Sequence, residues 1–129
     1  MTEHSERQLL EGVDSVLAIV QLSGRCDAWD YIDGLADQAK AHFQRYFEYL
    51  AEGKHIRSPE KMRHLATDSM GNEVHELKVH LNGGSRVYVV KHGDRWFATH
   101  GSRKPKDSRV PTEIGVAWAV FYEWYDREK

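Results

Sequence analysis

The sequence predicts an α+β fold, and three observations indicate this class. An apolar run at residues 15–22 precedes a long stretch of helical periodicity that starts near Asp27. Three alternating segments, separated by glycine turns, follow between residues 73 and 99, and a last helical stripe begins at Pro111. The predicted order is therefore a strand, a helix or helical hairpin, three antiparallel strands and a C-terminal helix.

The first strand and the helical region are predicted from a change in the spacing of apolar residues along the sequence. Residues 15–22, SVLAIVQL, are rich in β-branched side chains and bounded by glycines, as a buried strand would be. In the next segment Asp27 is expected to cap the helix, Gly34 to bend it and Gly53 to end it. The apolar stripe of this helix or kinked helix pair consists of Trp29, Ile32, Ala36, Ala39, Phe43, Tyr46, Phe47 and Leu50.

The second half of the chain alternates strands with turns. Pro59 is expected at the first position of a short helical turn that runs to Leu65. Alternation then predicts strands at 73–81, 86–91 and 95–99, with a hairpin at Asn82-Gly83-Gly84 and a turn at Gly93-Asp94. The last helix is predicted to bury a stripe made of Ile114, Ala117, Trp118, Phe121 and Tyr125.

Composition limits the class of protein. A length of 129 residues suits one domain, 1–129, and leaves open whether residues 1–12 are ordered. No apolar run approaches the roughly 20 residues of a membrane span, and no secretory signal is visible, so a cytoplasmic protein with no membrane contact is expected. Cys26 is the single cysteine, which excludes an intramolecular disulfide and a cysteine-rich zinc site.

Charge is distributed unevenly although the net charge is only −2. Residues 1–53 hold ten acidic and four basic side chains, whereas residues 54–111 hold six acidic and twelve basic ones. The positive charge therefore lies where the three strands are predicted, and it can focus a positive field on one face. Such a surface suits a phosphodiester ligand, and an ordinary solvated surface is an equally good interpretation of the charge alone.

A family resemblance rests on four short motifs. They are Glu76-Leu77-Lys78, Arg86-Val87-Tyr88, His100-Gly101-Ser102-Arg103-Lys104 and Pro111-Thr112-Glu113-Ile114. In this order and spacing the chain resembles the RelE/ParE/HigB superfamily of toxins from bacterial and phage toxin–antitoxin systems, and it is most similar to the HigB-like branch. The resemblance covers roughly residues 15–125, and its specific part is residues 76–114.

The resemblance implies a small, curved antiparallel sheet with the helical hairpin on one face and a cationic groove on the other. Many relatives are ribosome-dependent endoribonucleases that cut mRNA without a metal or another cofactor. The implied partners are mRNA, the ribosome and a cognate antitoxin, expected to be of the helix-turn-helix type. In this reaction the ribose 2′-oxygen attacks the adjacent phosphate, so the protein must accept a proton, stabilise the phosphorane and assist the leaving 5′-oxygen.

The resemblance also implies roles for individual residues. Arg86 matches the arginine that begins the middle strand and is expected to clamp a phosphate. Arg103 matches a cation that acts on the transition state or leaving group, while Lys78 matches a basic strand residue and His100 is expected to orient substrate or accept a proton. The residues expected to contact RNA are Lys104, Lys106, Arg109 and His80.

Alternatives remain open for most of these roles. Arg86 also fits an ion pair with Glu76 or Asp94 across the hairpin, and His100 fits a structural hydrogen bond. The basic loop residues, Lys78 and His80 fit ordinary exposed positions. The histidines lack the spacing of a zinc site, so no metal is expected. For the whole protein, the alternative is a ParE-like inhibitor of gyrase or another protein, or a noncatalytic interaction module of the same fold.

Overall fold

A computed structural model describes residues 5–128 of the chain. The strands are β1 (Glu6–Gln8), β2 (Val16–Ile19), β3 (Met62–Thr67), β4 (Glu73–Val79), β5 (Ser85–His92) and β6 (Arg95–Arg103). The helices are α1 (Asp27–Asp33), α2 (Asp37–Glu52) and α3 (Val110–Glu128), and a 3₁₀ turn spans Asp107–Arg109. The predicted α+β class is confirmed.

The six strands form one sheet in the order β1-β2-β6-β5-β4-β3. Strands β3 to β6 are a meander in which each strand runs antiparallel to the one before it, whereas β2 pairs with β6 in parallel. The sheet is therefore mixed, and the expectation of an antiparallel sheet is wrong at this one pairing. Between β2 and β6 the chain passes through the two helices and the first three strands of the meander. This long connection allows β6 to lie beside β2 and to run parallel to it.

The meander has four strands because β3 replaces most of the predicted helical turn. One turn does close after Arg57, whose carbonyl oxygen accepts hydrogen bonds from the backbone N–H groups of Lys61 and Met62. From Met62 onward, however, the backbone pairs with β4, with a register shift between His64 and Ala66. Pairing with a neighbouring strand decides this segment, since its sequence, MRHLAT, has a weak local preference.

One face of the sheet packs against α1 and α2. The part of the predicted stripe that lies on α2 is confirmed, because its buried residues are Ala39, Phe43, Tyr46, Phe47 and Leu50. The prediction is wrong at Ala36, which is exposed between the two helices, whereas Trp29 and Ile32 are half-buried against the same core. The bend after Gly34 and the end of α2 at Gly53, which has a left-handed φ of 70°, are also confirmed. Asp27 is not the cap, since Cys26 holds that position and Asp27 is the first helical residue.

The other face packs against α3, but only over part of its width. The side chains of α3 that it buries are Glu113, Ala117, Val120, Phe121 and Trp124. The predicted stripe is therefore rotated, with Ile114, Trp118 and Tyr125 only half-buried. Against this helix the sheet presents Val74, Val90 and Phe97, together with Leu17 and Ile19 of β2. The polar end of the same face is left beside the segment that precedes α3.

The N-terminal residues add a short edge strand. Glu6–Gln8 pairs antiparallel with β2, and the guanidinium of Arg7 lies 3.5 Å from the ring centre of Trp29 on α1. Residues 5–12 contain this strand and a following turn, and residues 1–4 lie outside the described residues.

Candidate functional site

The polar end of the α3 face holds a small depression of about 70 Å³. Its lining residues are Arg63, Glu76, Lys78, Arg86, Lys104, Pro105, Asp107 and Val110. They come from three neighbouring strands, β3, β4 and β5, and from the segment between β6 and α3. Four of the eight side chains are cationic, so the sheet gathers basic residues from distant parts of the sequence at one place.

Glu76 lies at the centre of this group and is almost completely buried. Its Oε1 is 3.3 Å from Nε of Arg63 and 3.7 Å from Nζ of Lys78, and its Oε2 is 3.8 Å from Nε of Arg86. The strand register explains the arrangement, since Arg63 pairs with Glu76 and Lys78 pairs with Arg86. Three cations surround one carboxylate, which leaves a surplus of two positive charges available to an anion.

Arg86 is the most enclosed of the cations, with a side chain only 4% exposed. Its Nη1 donates a hydrogen bond of 3.1 Å to the backbone oxygen of Ser85. The ion pair with Glu76 that the sequence left open as an alternative is therefore present. Burial, opposed by the charge of Glu76, lowers the pKa of the half-buried Lys78.

The glycine hairpin lets the basic segment approach the sheet. Gly83 and Gly84 have φ values of 88° and 95°, which few other residues adopt. A Cβ on Gly84 would lie 3.1 Å from Cβ of Lys104, and one on Gly83 would lie 3.0 Å from Nη2 of Arg103. The hairpin predicted from the sequence is thus confirmed, and its glycines make room for the two basic side chains.

The remaining predicted RNA contacts are exposed but lie around the depression and do not line it. Arg103 ends β6 and donates a hydrogen bond of 3.3 Å to the backbone oxygen of Asn82. Arg109 lies in the 3₁₀ turn, 3.9 Å from Glu113, and Lys106 immediately precedes that turn. His80 follows β4, and its Nε2 is 2.7 Å from the backbone oxygen of Glu60.

His100 connects the sheet with α3. It stacks on Tyr88 with ring centres 4.5 Å apart, and its Nε2 is 3.0 Å from Oε1 of Glu113. Its Nδ1 is 3.0 Å from Oγ1 of Thr99. Burial lowers the pKa of His100, and the hydrogen bond with Glu113 opposes this shift. Both ring nitrogens therefore have a protein partner. This is the structural hydrogen bonding that the sequence left open.

The His100-Gly101 motif lies inside β6 and not in a turn, because β6 extends to Arg103 and past the predicted end at residue 99. A register shift between Tyr88 and Val89 of β5 interrupts the pairing of β5 with this longer β6. At the end of this strand Ser102 accepts a hydrogen bond from the hydroxyl of Tyr31 at its backbone oxygen, and its side chain contacts the hydroxyl of Tyr88 at 3.0 Å.

Five of the eight lining residues have no role in catalysis or RNA contact predicted from the sequence, and Arg63 and Glu76 are the two of them that belong to the charge cluster. Arg63 was missed because its segment was predicted to be helical, and Glu76 was considered only as an ion-pair partner. The opposite charges of Arg63 and Glu76 could have indicated this pair, since opposite charges are favoured at facing positions of paired strands. That signal becomes readable only when residues 62–67 are recognised as a strand.

No family model matches the chain, and no curated protein matches it either. Within residues 5–128, no group of three or more histidine, cysteine, aspartate or glutamate side chains is placed to hold a metal ion. None of the described helices is both long enough and apolar enough to cross a membrane.

Proposed function

We propose that this chain is a RelE/HigB-like toxin of a type II toxin–antitoxin system and that it cleaves mRNA on the ribosome without a metal. The observation that carries the proposal is the surplus of cations around Glu76, beside a depression on the open part of the sheet. Guanidinium and ammonium groups are the protein's usual ligands for phosphate. The RelE-like form of the α+β fold is part of this proposal, and so are cytoplasmic action and binding of a helix-turn-helix antitoxin.

Within the proposed reaction, Arg86 and Lys78 stabilise the charge that develops on the phosphorane. Their positions are fixed before substrate arrives, because both already contact Glu76. Such preorganised charge lowers the barrier without reorganisation during the reaction. Glu76 lies among these cations and holds them in position, so it acts as a positioning residue in the proposed reaction.

In the proposed reaction, the exposed basic residues act on the leaving group and on the RNA backbone around the depression. Lys104 lines the depression and, together with Arg103, is placed to assist the leaving 5′-oxygen. Lys106, Arg109 and His80 contact the RNA backbone on either side. His100 is assigned a positioning role, since it is buried and both ring nitrogens have protein partners.

The second candidate is a noncatalytic or ParE-like inhibitor of the same fold that acts on gyrase or another protein. Two observations favour it, namely the burial of Arg86 and the engagement of His100 with Glu113. Both reduce the number of groups that are free to contact a substrate. A cationic face of this kind also suits an acidic protein partner.

Expression in a bacterial host separates the two candidates. We would induce the intact chain, a Glu76→Gln variant and an Arg103→Ala/Lys104→Ala variant, and then map mRNA 5′ ends and translation rate within minutes. The amount of soluble protein is measured for each variant, so that a loss of cleavage is not confused with a loss of folding. The matched control is Arg45→Ala/Lys54→Ala, which removes two exposed cations at α2, across the sheet from the depression.

The proposal expects prompt cleavage within translated messages for the intact chain and the control. Cleavage should fall at least a hundredfold in both site variants, which is the scale of losing proton transfer or one preorganised charge contact. Intact messages with normal translation on induction of the wild type would overturn it. If growth still stops under those conditions, the protein-target candidate takes its place.

A further inference from the structure

Arg63 stands apart from the other cations of the depression in its exposure. It belongs to β3, the edge strand of the sheet, and its side chain is 40% exposed, against 4% for Arg86. Only its Nε faces Glu76, at 3.3 Å. The outer nitrogens of a guanidinium carry further N–H donors, so Arg63 can hold Glu76 and an external anion at the same time.

Arg63 and Arg86 approach Glu76 from opposite sides. Arg63 contacts Oε1 from β3, whereas Arg86 contacts Oε2 from β5, and β4 runs between them. Two strand spacings separate these backbones, which is roughly 9.5 Å. Both guanidiniums converge on the carboxylate of Glu76 but contact different oxygens from different strands, so Arg63 does not duplicate the contact made by Arg86 and can present its outer donors to a second anion.

We infer that Arg63 is an additional phosphate-binding residue, and that it holds the phosphate adjacent to the one at Arg86 when single-stranded RNA lies across β3, β4 and β5. This inference rests on the proposed function. The direction follows from the strand order, in which Arg63 on the edge strand β3 and Arg86 on β5 lie on either side of β4. One chain that crosses the depression in this direction passes both guanidiniums.

A purely structural role would predict a different behaviour. An ion pair with a partly exposed partner contributes little to stability. If Arg63 served only to hold Glu76 or to protect the sheet edge, its loss would change stability slightly and leave the salt dependence of RNA binding unchanged. Salt dependence counts the phosphates that are neutralised, so it distinguishes the two roles.

The test uses the full chain and a 2′-O-methyl oligonucleotide of about six nucleotides, which cannot undergo 2′-oxygen attack. Fluorescence anisotropy gives Kd over a series of salt concentrations for the wild type, Arg63→Gln and Arg63→Lys. Arg45→Gln is the matched control, because Arg45 is an exposed arginine on α2. Amide NMR spectra verify that each variant is folded.

For Arg63→Gln we expect Kd to rise roughly tenfold, the scale of one hydrogen bond to a charged group. The slope of log K against log salt should become shallower by about 0.7, which corresponds to one phosphate of a single strand. Arg63→Lys should keep the wild-type slope, and Arg45→Gln should behave as the wild type.

Two results would overturn the inference, and they are distinguishable from failure of the proposed function. An Arg63→Gln variant that binds within twofold of the wild type, with the same slope, would remove Arg63 from the RNA site while the proposed nuclease stands. A wild type that does not bind the oligonucleotide would also overturn it, and the mapping of mRNA 5′ ends judges the nuclease independently.

Discussion

The ring of Tyr31 lies directly against the backbone of Gly101, and a methyl group at Gly101 would approach Cδ2 of Tyr31 to 2.1 Å. This contact joins α1 to β6, and the hydroxyl of Tyr31 donates a hydrogen bond of 2.8 Å to the next carbonyl, that of Ser102. The glycine of the His-Gly motif is thus explained by packing, since any side chain would displace the tyrosine.

Replacement of Gly101 by alanine should therefore destabilise the fold. We expect Gly101→Ala to lower the free energy of unfolding by about 2–3 kcal/mol, the scale of overpacking a filled site. In a Tyr31→Ala background the same change should cost less than about 1 kcal/mol, because the obstructing ring is gone. Urea denaturation of the four proteins measures both values.

The matched control for this cycle is Gly115→Ala. Gly115 lies on α3 with no atom within 4 Å of an added methyl, so alanine there should raise stability by up to about 1 kcal/mol. An equal cost of Gly101→Ala with and without the Tyr31 ring would contradict the packing explanation.

Substitutions at different residues of the charge cluster should lower the free energy of unfolding by different amounts. Glu76→Gln removes the one carboxylate shared by three cations and leaves the buried Arg86 without an ionic partner, so we expect a loss of about 3 kcal/mol. Arg86→Met leaves Glu76 with Arg63 and Lys78 and should cost less, about 1–2 kcal/mol.

The double variant Glu76→Gln/Arg86→Met completes a cycle for this pair. It should be destabilised by less than the sum of the single variants, because each single change leaves a charge that the other one removes. Thermal and urea unfolding provide the free energies. An Arg86→Met variant that is less stable than Glu76→Gln would show that Glu76 does not organise the cluster.

Much of the fold was predictable because its elements carry their own local signals. The helical period of α2, the alternation of β4 and β5, and the glycines that end α2 and turn the hairpin all depend on nearby residues. These are confirmed. What failed was set by distant contacts: the strand β3 exists because β4 pairs with it, and the parallel pairing of β2 with β6 depends on the whole topology.

A residue of the candidate site could be predicted from the sequence only where the strand or loop that carries it was also predicted. Lys78, Arg86 and Lys104 were selected from the sequence and line the depression. Arg63 was missed together with its strand. The burial of His100 could not be read from the sequence, because it depends on how α3 crosses the face and places Glu113 beside the ring.

The phenol of Tyr88 should respond only to strongly alkaline pH. Burial, the largest cause, raises the pKa of Tyr88 to about 12, and the hydrogen bond with Ser102 opposes this. The folded state thus retains a proton that the unfolded state loses near pH 10. The stability that this phenol contributes is complete below about pH 10 and is lost as pH rises towards 12.

Tyr88→Phe tests this directly. The variant should lose about 1 kcal/mol at pH 7, from the hydrogen bond with Ser102, and its stability should fall less steeply than that of the wild type between about pH 10 and 11.5. Part of the slope should remain, since burial also raises the pKa of Tyr46. Parallel alkaline slopes in urea midpoints would contradict the assignment.

His100 should make the free energy of unfolding fall at acid pH. Burial lowers its pKa despite the hydrogen bond with Glu113, so the unfolded chain takes up a proton near pH 6.5 while the folded protein does not. A group that binds more protons when unfolded makes stability rise with pH. The contribution is therefore complete above about pH 6.5 and is lost as pH falls below that value. The pKa of His75 is lowered by burial in the same direction, so His100 accounts for only part of the slope.

His100→Gln keeps a side chain that can donate to Glu113 but cannot titrate in this range. Its free energy of unfolding should vary less between pH 7.5 and 5.5 than that of the wild type. Urea unfolding at four pH values gives the two slopes. If His100→Gln reproduced the wild-type slope, protonation of His100 would not oppose folding, and a steeper slope in the variant would show that the ring is paired as a cation with Glu113.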